Sequence, residues 1–302
     1  MLHIWYNLNV HPRCHKKGGC MNKTIRFITA ICLILTLSVL SYSAHAAPIG
    51  EISEGAVNIV VDGWGYDGRI LVYKNSAYVS LREFATMADN SVVSWDKSTH
   101  TAHVRTDSLE FSAREAGNYI IANGRVLWCE NGIFTLGGSI YVPLRQVAYA
   151  FGFDHDYVHS EKTTYLTRYR AAVMSGEEFY DPDELYWLSK IINAEAGGEP
   201  FLGKLAVGTV ILNRVDSDEF PSSIYDVIFD RENGVQFSPI ANGAIHSTPN
   251  YDSVIAAKLS LEDTRLSDEI LYFLNEELAT NFWIVENCRY VMSIGCHDFY
   301  AP

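Results

Sequence analysis

Apolar residues follow two rhythms along this chain. Between residues 57 and 170 they come in short alternating runs, the spacing of half-buried strands. One run grammar occurs twice. Tyr78-Val79-Ser80-Leu81-Arg82-Glu83 recurs as Tyr141-Val142-Pro143-Leu144-Arg145-Gln146, and Ala85/Ala148, Thr101/Thr164 and Arg105/Arg168 keep the same offset. Each copy predicts a short strand (77–79, 140–142), a helix (81–88, 144–151) and a hairpin (92–95 with 101–105, 155–158 with 163–168). Asp96-Lys97-Ser98 and His159-Ser160-Glu161 supply the turns. Between the copies, Asn123-Gly124 predicts a tight turn joining 119–121 to 126–128.

Beyond residue 181 the period becomes helical. Asp181-Pro182-Asp183-Glu184 combines a capping Asp, a first-turn Pro and acidic residues that complement the helix dipole. Leu185, Leu188 and Ile192 follow on one face, Glu195 continues that face, and Gly197-Gly198 ends the helix. A second helix places Leu202, Leu205, Ala206, Thr209 and Val210 on one face, with Glu199 and Pro200 at its start. The expected fold is therefore α+β. A duplicated strand–helix–hairpin module (57–170) precedes a linker (171–181) and a mainly helical unit with a small sheet (182–302).

A content of 48% hydrophobic and 20% charged residues fits a globular chain. The net charge is -13, and residues 1–46 hold five Lys/Arg and no acid, which leaves 18 basic against 36 acidic side chains beyond them. Phosphate binding needs clustered cations, so nucleic acid and anionic membrane surfaces are poor partners. Lys23 and Arg26, the apolar run 27–40 and Ala44-His45-Ala46 form a signal-peptide pattern over 21–46, which predicts export without stable membrane insertion. Lys17-Gly18-Gly19 just before Met21 matches a translated ribosome-binding site, so residues 1–20 are read as a mis-assigned start. Cys129, Cys288 and Cys296 would remain after export, too few for a disulfide framework, with a Cys288–Cys296 bridge left open.

Residues 57–170 resemble the copper amine oxidase N-terminal-like domain, on the repeat motifs given above. That family is a small accessory module, and the resemblance implies neither copper nor oxidase chemistry. His100 and His103 are read as surface residues, on a strand that would point them to opposite faces.

Glu195 is the candidate acid. An apolar face and the negative end of a helix dipole both favour a carboxyl that keeps its proton. Such a group can protonate a leaving oxygen. Glu199, at the start of the next helix, reads instead as a cap or structural partner. The region also carries Ala194-Glu195-Ala196-Gly197-Gly198-Glu199-Pro200, Ile211-Leu212-Asn213-Arg214-Val215, Gln236-Phe237-Ser238, Tyr272-Phe273 and Ile294-Gly295-Cys296-His297-Asp298-Phe299-Tyr300. On these blocks it resembles the catalytic domain of the spore cortex-lytic, cell-wall hydrolase family. The resemblance implies a fold related to lysozyme and lytic transglycosylases, cleavage of peptidoglycan glycan strands, and Glu195 as catalytic acid. Gly197 stands where many relatives carry a basic residue, and 231–233 also depart from the pattern, which bears on substrate subtype.

Hydrolysis needs two carboxylates. Asp226, Glu232 and Asp298 are available but carry no signal of their own, so a lytic transglycosylase with one Glu is favoured. Gln236, Tyr272, Asn275 and Trp283 suit sugar rings and N-acetyl groups, although Tyr272 and Trp283 equally fit a core. His297 is a possible supporting residue. Cys288, Cys296 and His297 lack a zinc spacing, so no metal and no cofactor are expected. A wall-binding or spore-assembly protein without turnover is the alternative, and the oligomeric state is open.

Overall fold

The computed structural model describes residues 52–54, 57–232 and 236–302. The signal-peptide and start-site expectations for 1–46 lie outside them. Among the described residues, no helix is long and apolar enough to cross a membrane.

The N-terminal half runs β1 (Ile52–Glu54), β2 (Asn58–Val61), β3 (Trp64–Gly65), β4 (Ile70–Tyr73), β5 (Ser76–Ser80), α1 (Leu81–Ala88), β6 (Val92–Asp96), β7 (Thr101–Arg105), β8 (Glu110–Arg114), β9 (Tyr119–Ala122), β10 (Arg125–Trp128), β11 (Phe134–Leu136), β12 (Ser139–Pro143), α2 (Leu144–Ala150), β13 (Phe153–Val158) and β14 (Thr163–Arg168). Three sheets result, ordered β1-β4-β5-β12-β11, β10-β9-β8-β7-β6 and β13-β14-β2-β3. The two matching segments meet at the centre of the first sheet. There β5 and β12 run antiparallel with Val79 opposite Val142, its own counterpart in the other segment. The segments differ where Ser80 corresponds to Pro143. The Ser80 side chain accepts from Glu83 N and caps α1, whereas Pro143 opens α2 with no side-chain cap.

Phe84, Phe111, Phe151 and Phe153 join Val79 and Val142 in one core, and each such side chain contributes roughly 1.5–3 kcal/mol by burial. Asn123 and Gly124 take φ of 49° and 81°, the left-handed pair that a two-residue hairpin turn requires between β9 and β10. His100 departs from expectation. It sits in the turn before β7 at φ 53° and pairs with Glu115 at 3.1 Å, while His103 alone lies on the strand.

The C-terminal half comprises α3 (Gly176–Phe179), α4 (Pro182–Ala196), α5 (Phe201–Val215), α6 (Ile224–Phe229), α7 (Ser238–Asn242), α8 (Tyr251–Leu261), β15 (Tyr272–Leu274), α9 (Trp283–Asn287), β16 (Arg289–Ile294) and β17 (His297–Ala301). Its sheet is ordered β15-β17-β16. Asp181 caps α4 by accepting from Asp183 N and Glu184 N, with Pro182 at the first helical position. Leu188, Ile191 and Ile192 of α4 pack on Val207 and Ile211 of α5 and on Ala256 and Ala257 of α8. The one-sided α5 of the sequence pattern is corrected. Residues 203–214 are buried all round, and Leu202 is exposed. A helix enclosed by α4, α8 and the β15–β17 sheet has no wet face to keep polar.

The connecting residues 171–181 are not a free tether. Val173, Gly176 and Tyr180 are buried. Gly176 N donates to Asn123 O, and Asn123 Nδ2 donates to Val173 O. The halves share a core in which Val126 meets Leu205, Ile255 and Leu259. Beside it Arg125 grips Glu262, with Nε on Oε1 at 2.8 Å and Nη2 on Oε2 at 2.5 Å, and both side chains are over 90% buried. The Tyr180 hydroxyl accepts from Val126 N and donates to Glu262 Oε1, and Lys258 Nζ donates to Gly124 O.

Candidate active site

The last turn of α4 holds Glu195. Asn193 fixes that turn from the side: its Oδ1 accepts from Asn250 N at 2.9 Å, and its carbonyl accepts from Gly197 N. Asn250 Nδ2 returns a bond to Gly197 O. Burial raises the Glu195 carboxyl to about 7, against a smaller lowering effect of the Arg214 charge. The group therefore holds a proton to give near neutral pH.

Arg214 stands in the last turn of the buried helix α5. Nε donates to Leu271 O at 2.8 Å. The guanidinium lies over the rings of Phe220, Phe237 and Tyr272 at 4.8, 5.2 and 5.6 Å. Tyr272 continues the aromatic wall, 6.2 Å from Phe220 and 6.2 Å from Trp283. Both Tyr272 and Trp283 are half-buried, neither enclosed as core nor fully exposed. Gln236 is half-buried and immediately precedes Phe237, so it stands at the edge of the same wall. Asn275 is committed locally, where its Oδ1 accepts from Glu277 N in the turn after β15.

Glu199 and His297 form a second group. Glu199 does not cap α5, whose N-cap is Pro200. Its Oε2 instead accepts from Cys296 N at 2.9 Å, while Lys204 Nζ donates to the Glu199 carbonyl. The contact needs glycine beside it. Gly295 has φ 64°, and a Cβ there would fall 1.9 Å from Glu199 Oε2. His297 is buried, its Nδ1 has no hydrogen-bond partner among the described residues, and its ring meets Phe273 at 5.3 Å. Burial holds its pKa below the ordinary histidine value, against the raising effects of Glu199 and Asp298. Phe273 in turn lies 6.4 Å from Phe237, which links this group to the aromatic wall.

Cys288 and Cys296 are free thiols at opposite ends of the six-residue strand β16. An extended strand of that length separates them by about 20 Å, far beyond the ~7 Å that a disulfide spans. Among the described residues, no group of three His, Cys, Asp or Glu side chains is arranged to hold a metal ion. Two of the other three carboxylates weighed, Asp226 and Asp298, have local partners. Asp226 bonds Ser223 at the start of α6, Asp298 accepts from Ser293, and Glu232 is exposed.

Sequence reasoning missed Arg214 and Asn213. Asn213 Nδ2 donates to Ser267 O and Ile270 O, so this pair pins the segment leading into β15. The available signal was an adjacent polar pair inside an otherwise apolar helix.

Residues 198–300 match the cell wall hydrolase family, and residues 60–166 match the copper amine oxidase N-terminal domain. The first match begins three residues after Glu195 and includes Glu199. Spore cortex-lytic enzymes of Bacillus cereus and Bacillus subtilis are 33% and 34% identical over 120 residues, 40% of this chain. That stretch is 45% and 38% of those proteins, so less than half the length of either relative is matched. Two solved structures are also similar. The catalytic domain of the germination-specific lytic transglycosylase SleB from Bacillus anthracis shows 31% identity and a TM-score of 0.37, covering 42% of this chain and 99% of that one. The catalytic domain of the Bacillus cereus SleB protein shows 32% identity and a TM-score of 0.36, covering 40% of this chain and 91% of that one. The chain thus carries a match to the copper amine oxidase N-terminal domain ahead of a match to the cell wall hydrolase family, each over about a third of its length.

Proposed function

We propose that this protein is exported and cleaves the glycan strands of peptidoglycan, in spore cortex or cell wall, as a lytic transglycosylase. The observation that carries this reading is the Glu195 carboxyl, raised by burial to about 7 against the charge of Arg214, the cation that lies over the aromatic wall. The catalytic unit is taken as 182–302 with a lysozyme-like arrangement, the accessory module as 57–170, and the signal peptide as 21–46. The relatives are named for spore cortex lysis, which supports the substrate class.

In the proposed reaction Glu195 gives its proton to the glycosidic oxygen. The C1–O bond breaks with its electron pair going to that oxygen. The C6 hydroxyl of the same sugar then bonds to C1 and passes its proton to the Glu195 carboxylate, leaving a 1,6-anhydro end and a regenerated acid. One carboxylate suffices, which agrees with the other roles of Asp226 and Asp298. Tyr272 and Trp283 would stack on sugar rings, Gln236 and Asn275 would meet N-acetyl groups, and Glu199 and His297 would hold the β16–β17 turn beside the acid.

Muropeptide analysis of purified peptidoglycan treated with wild type and with Glu195→Gln tests the reading. Anhydro-muropeptides released by the wild type alone are expected. Equal release by both proteins, or none by either, would leave a non-catalytic wall-binding protein. Reducing ends without anhydro product would replace transglycosylation with hydrolysis.

A further inference from the structure

One cation on a neighbouring helix acts on the acid through its charge, and it also lies over three rings of the aromatic wall. Charged and titratable groups on elements packed against α4 include Lys204 and Arg214 on α5, Asp226 on α6, His246 near α7, and Asp252 and Lys258 on α8. Lys204 is turned to the Glu199 carbonyl, Asp226 to Ser223, and Lys258 to Gly124 O. Arg214 alone of these acts on the Glu195 carboxyl. The same guanidinium lies over Phe220, Phe237 and Tyr272, which arrive on three different segments. A planar cation suits that place because its faces stack on rings while an edge N–H reaches Leu271 O.

We propose that Arg214 is the positioning residue of this site: its guanidinium assembles the Phe220–Phe237–Tyr272 wall, part of the core that Ala196 joins directly after Glu195, and its charge favours the carboxylate that Glu195 becomes after giving up its proton. The inference rests on the proposed acid role of Glu195. Within that reaction the acid must part with a proton in one half and take one back in the other. Burial alone would favour only the protonated half. A fixed cation restores part of the balance without entering the sugar site, so Arg214 touches no reacting atom.

The test is the pH profile of muropeptide release by the full chain, wild type against Arg214→Met and Arg214→Lys, with folding checked by thermal melts. In the wild type, kcat/KM should fall as pH rises through about 7, where Glu195 loses its proton. Arg214→Met should move that alkaline limb upward by about one pH unit or more, because the lowering charge is gone. Arg214→Lys should leave the limb near its wild-type position and raise KM, since an ammonium keeps the charge but not the planar stack. A lower rate at every pH with an unmoved limb in Arg214→Met would make Arg214 merely structural and overturn the proposal. Failure of both variants to fold would overturn it in the same way. A wild type without activity, or a Glu195→Gln variant as active as wild type, would instead sink the function on which it rests.

Discussion

An arginine acts on a glutamate in two places in this molecule, and the outcomes are opposite. At the junction of the halves, both Glu262 oxygens are taken, by Arg125 Nε and Nη2 and by the Tyr180 hydroxyl. Burial lowers the Arg125 pKa, but the hydrogen bonds and charge of Glu262 outweigh it, and the net shift is upward. Arg125 keeps its charge, and the pair works as a fastener. At the end of α4, Glu195 senses Arg214 through charge, burial prevails, and the carboxyl keeps its proton to about 7. Direct donors on a carboxylate convert burial into specific attachment. A cation acting from the next helix leaves the other carboxyl its proton. Fold and chemistry thus draw on one residue pair, separated by how many donors reach the oxygens.

The largest expected effect breaks the reactive member. Glu195→Gln should lower muropeptide release by about a thousandfold, within the range of general acid catalysis, while the junction is untouched. The next breaks the fastener. Arg125→Ala or Glu262→Ala alone should each destabilise by about 3 kcal/mol, because one buried charge loses its partner. Replacing both with Met and Leu should cost far less, and denaturant melts would show it. Cleavage per folded molecule should be unchanged in all three; a loss parallel to that of Glu195→Gln would erase the distinction between the two sites.

A smaller effect sharpens the contrast through stability. The folded-state pKa of Glu195 is raised, from 4.5 to about 7. Its stabilising protonated form is therefore fully present below pH ~4.5 and lost as pH rises through about 7, since the unfolded chain binds fewer protons in that window. Glu195→Gln should match wild type near pH 4 and exceed it at pH 8, by at most on the order of 3 kcal/mol. Equal stability at both pH values would mean the carboxyl is not held protonated. The smallest effect concerns the thiols. Reductant should leave the melting temperature unchanged, because Cys288 and Cys296 stand at opposite ends of β16.

Local signals carried much of the fold. Asn123-Gly124, the cap at Asp181 and the helix Leu81–Ala88 depend on neighbours in sequence, and each forms where its residues predict. Glu195 was legible for the same reason, as an acid continuing an apolar helix face. What escaped depends on contacts distant in sequence. Nothing near Arg214 announces that Phe220, Phe237 and Tyr272 will converge on it. Glu199 read as a cap because its true partner, Cys296 N, lies 97 residues away. Residues 171–181 read as a linker, and the partners that fix Gly176 and Tyr180 within it, Asn123, Val126 and Glu262, lie more than 50 residues away.

That pinned crossing has a mechanical consequence. With Tyr180 bonded to both sides and Val126 set among Leu205, Ile255 and Leu259, the accessory module cannot swing like a lure on a line. It behaves as one arm of a caliper. Whatever surface that arm rests on, the proposed acid on the other arm is held at a fixed stand-off and angle from it.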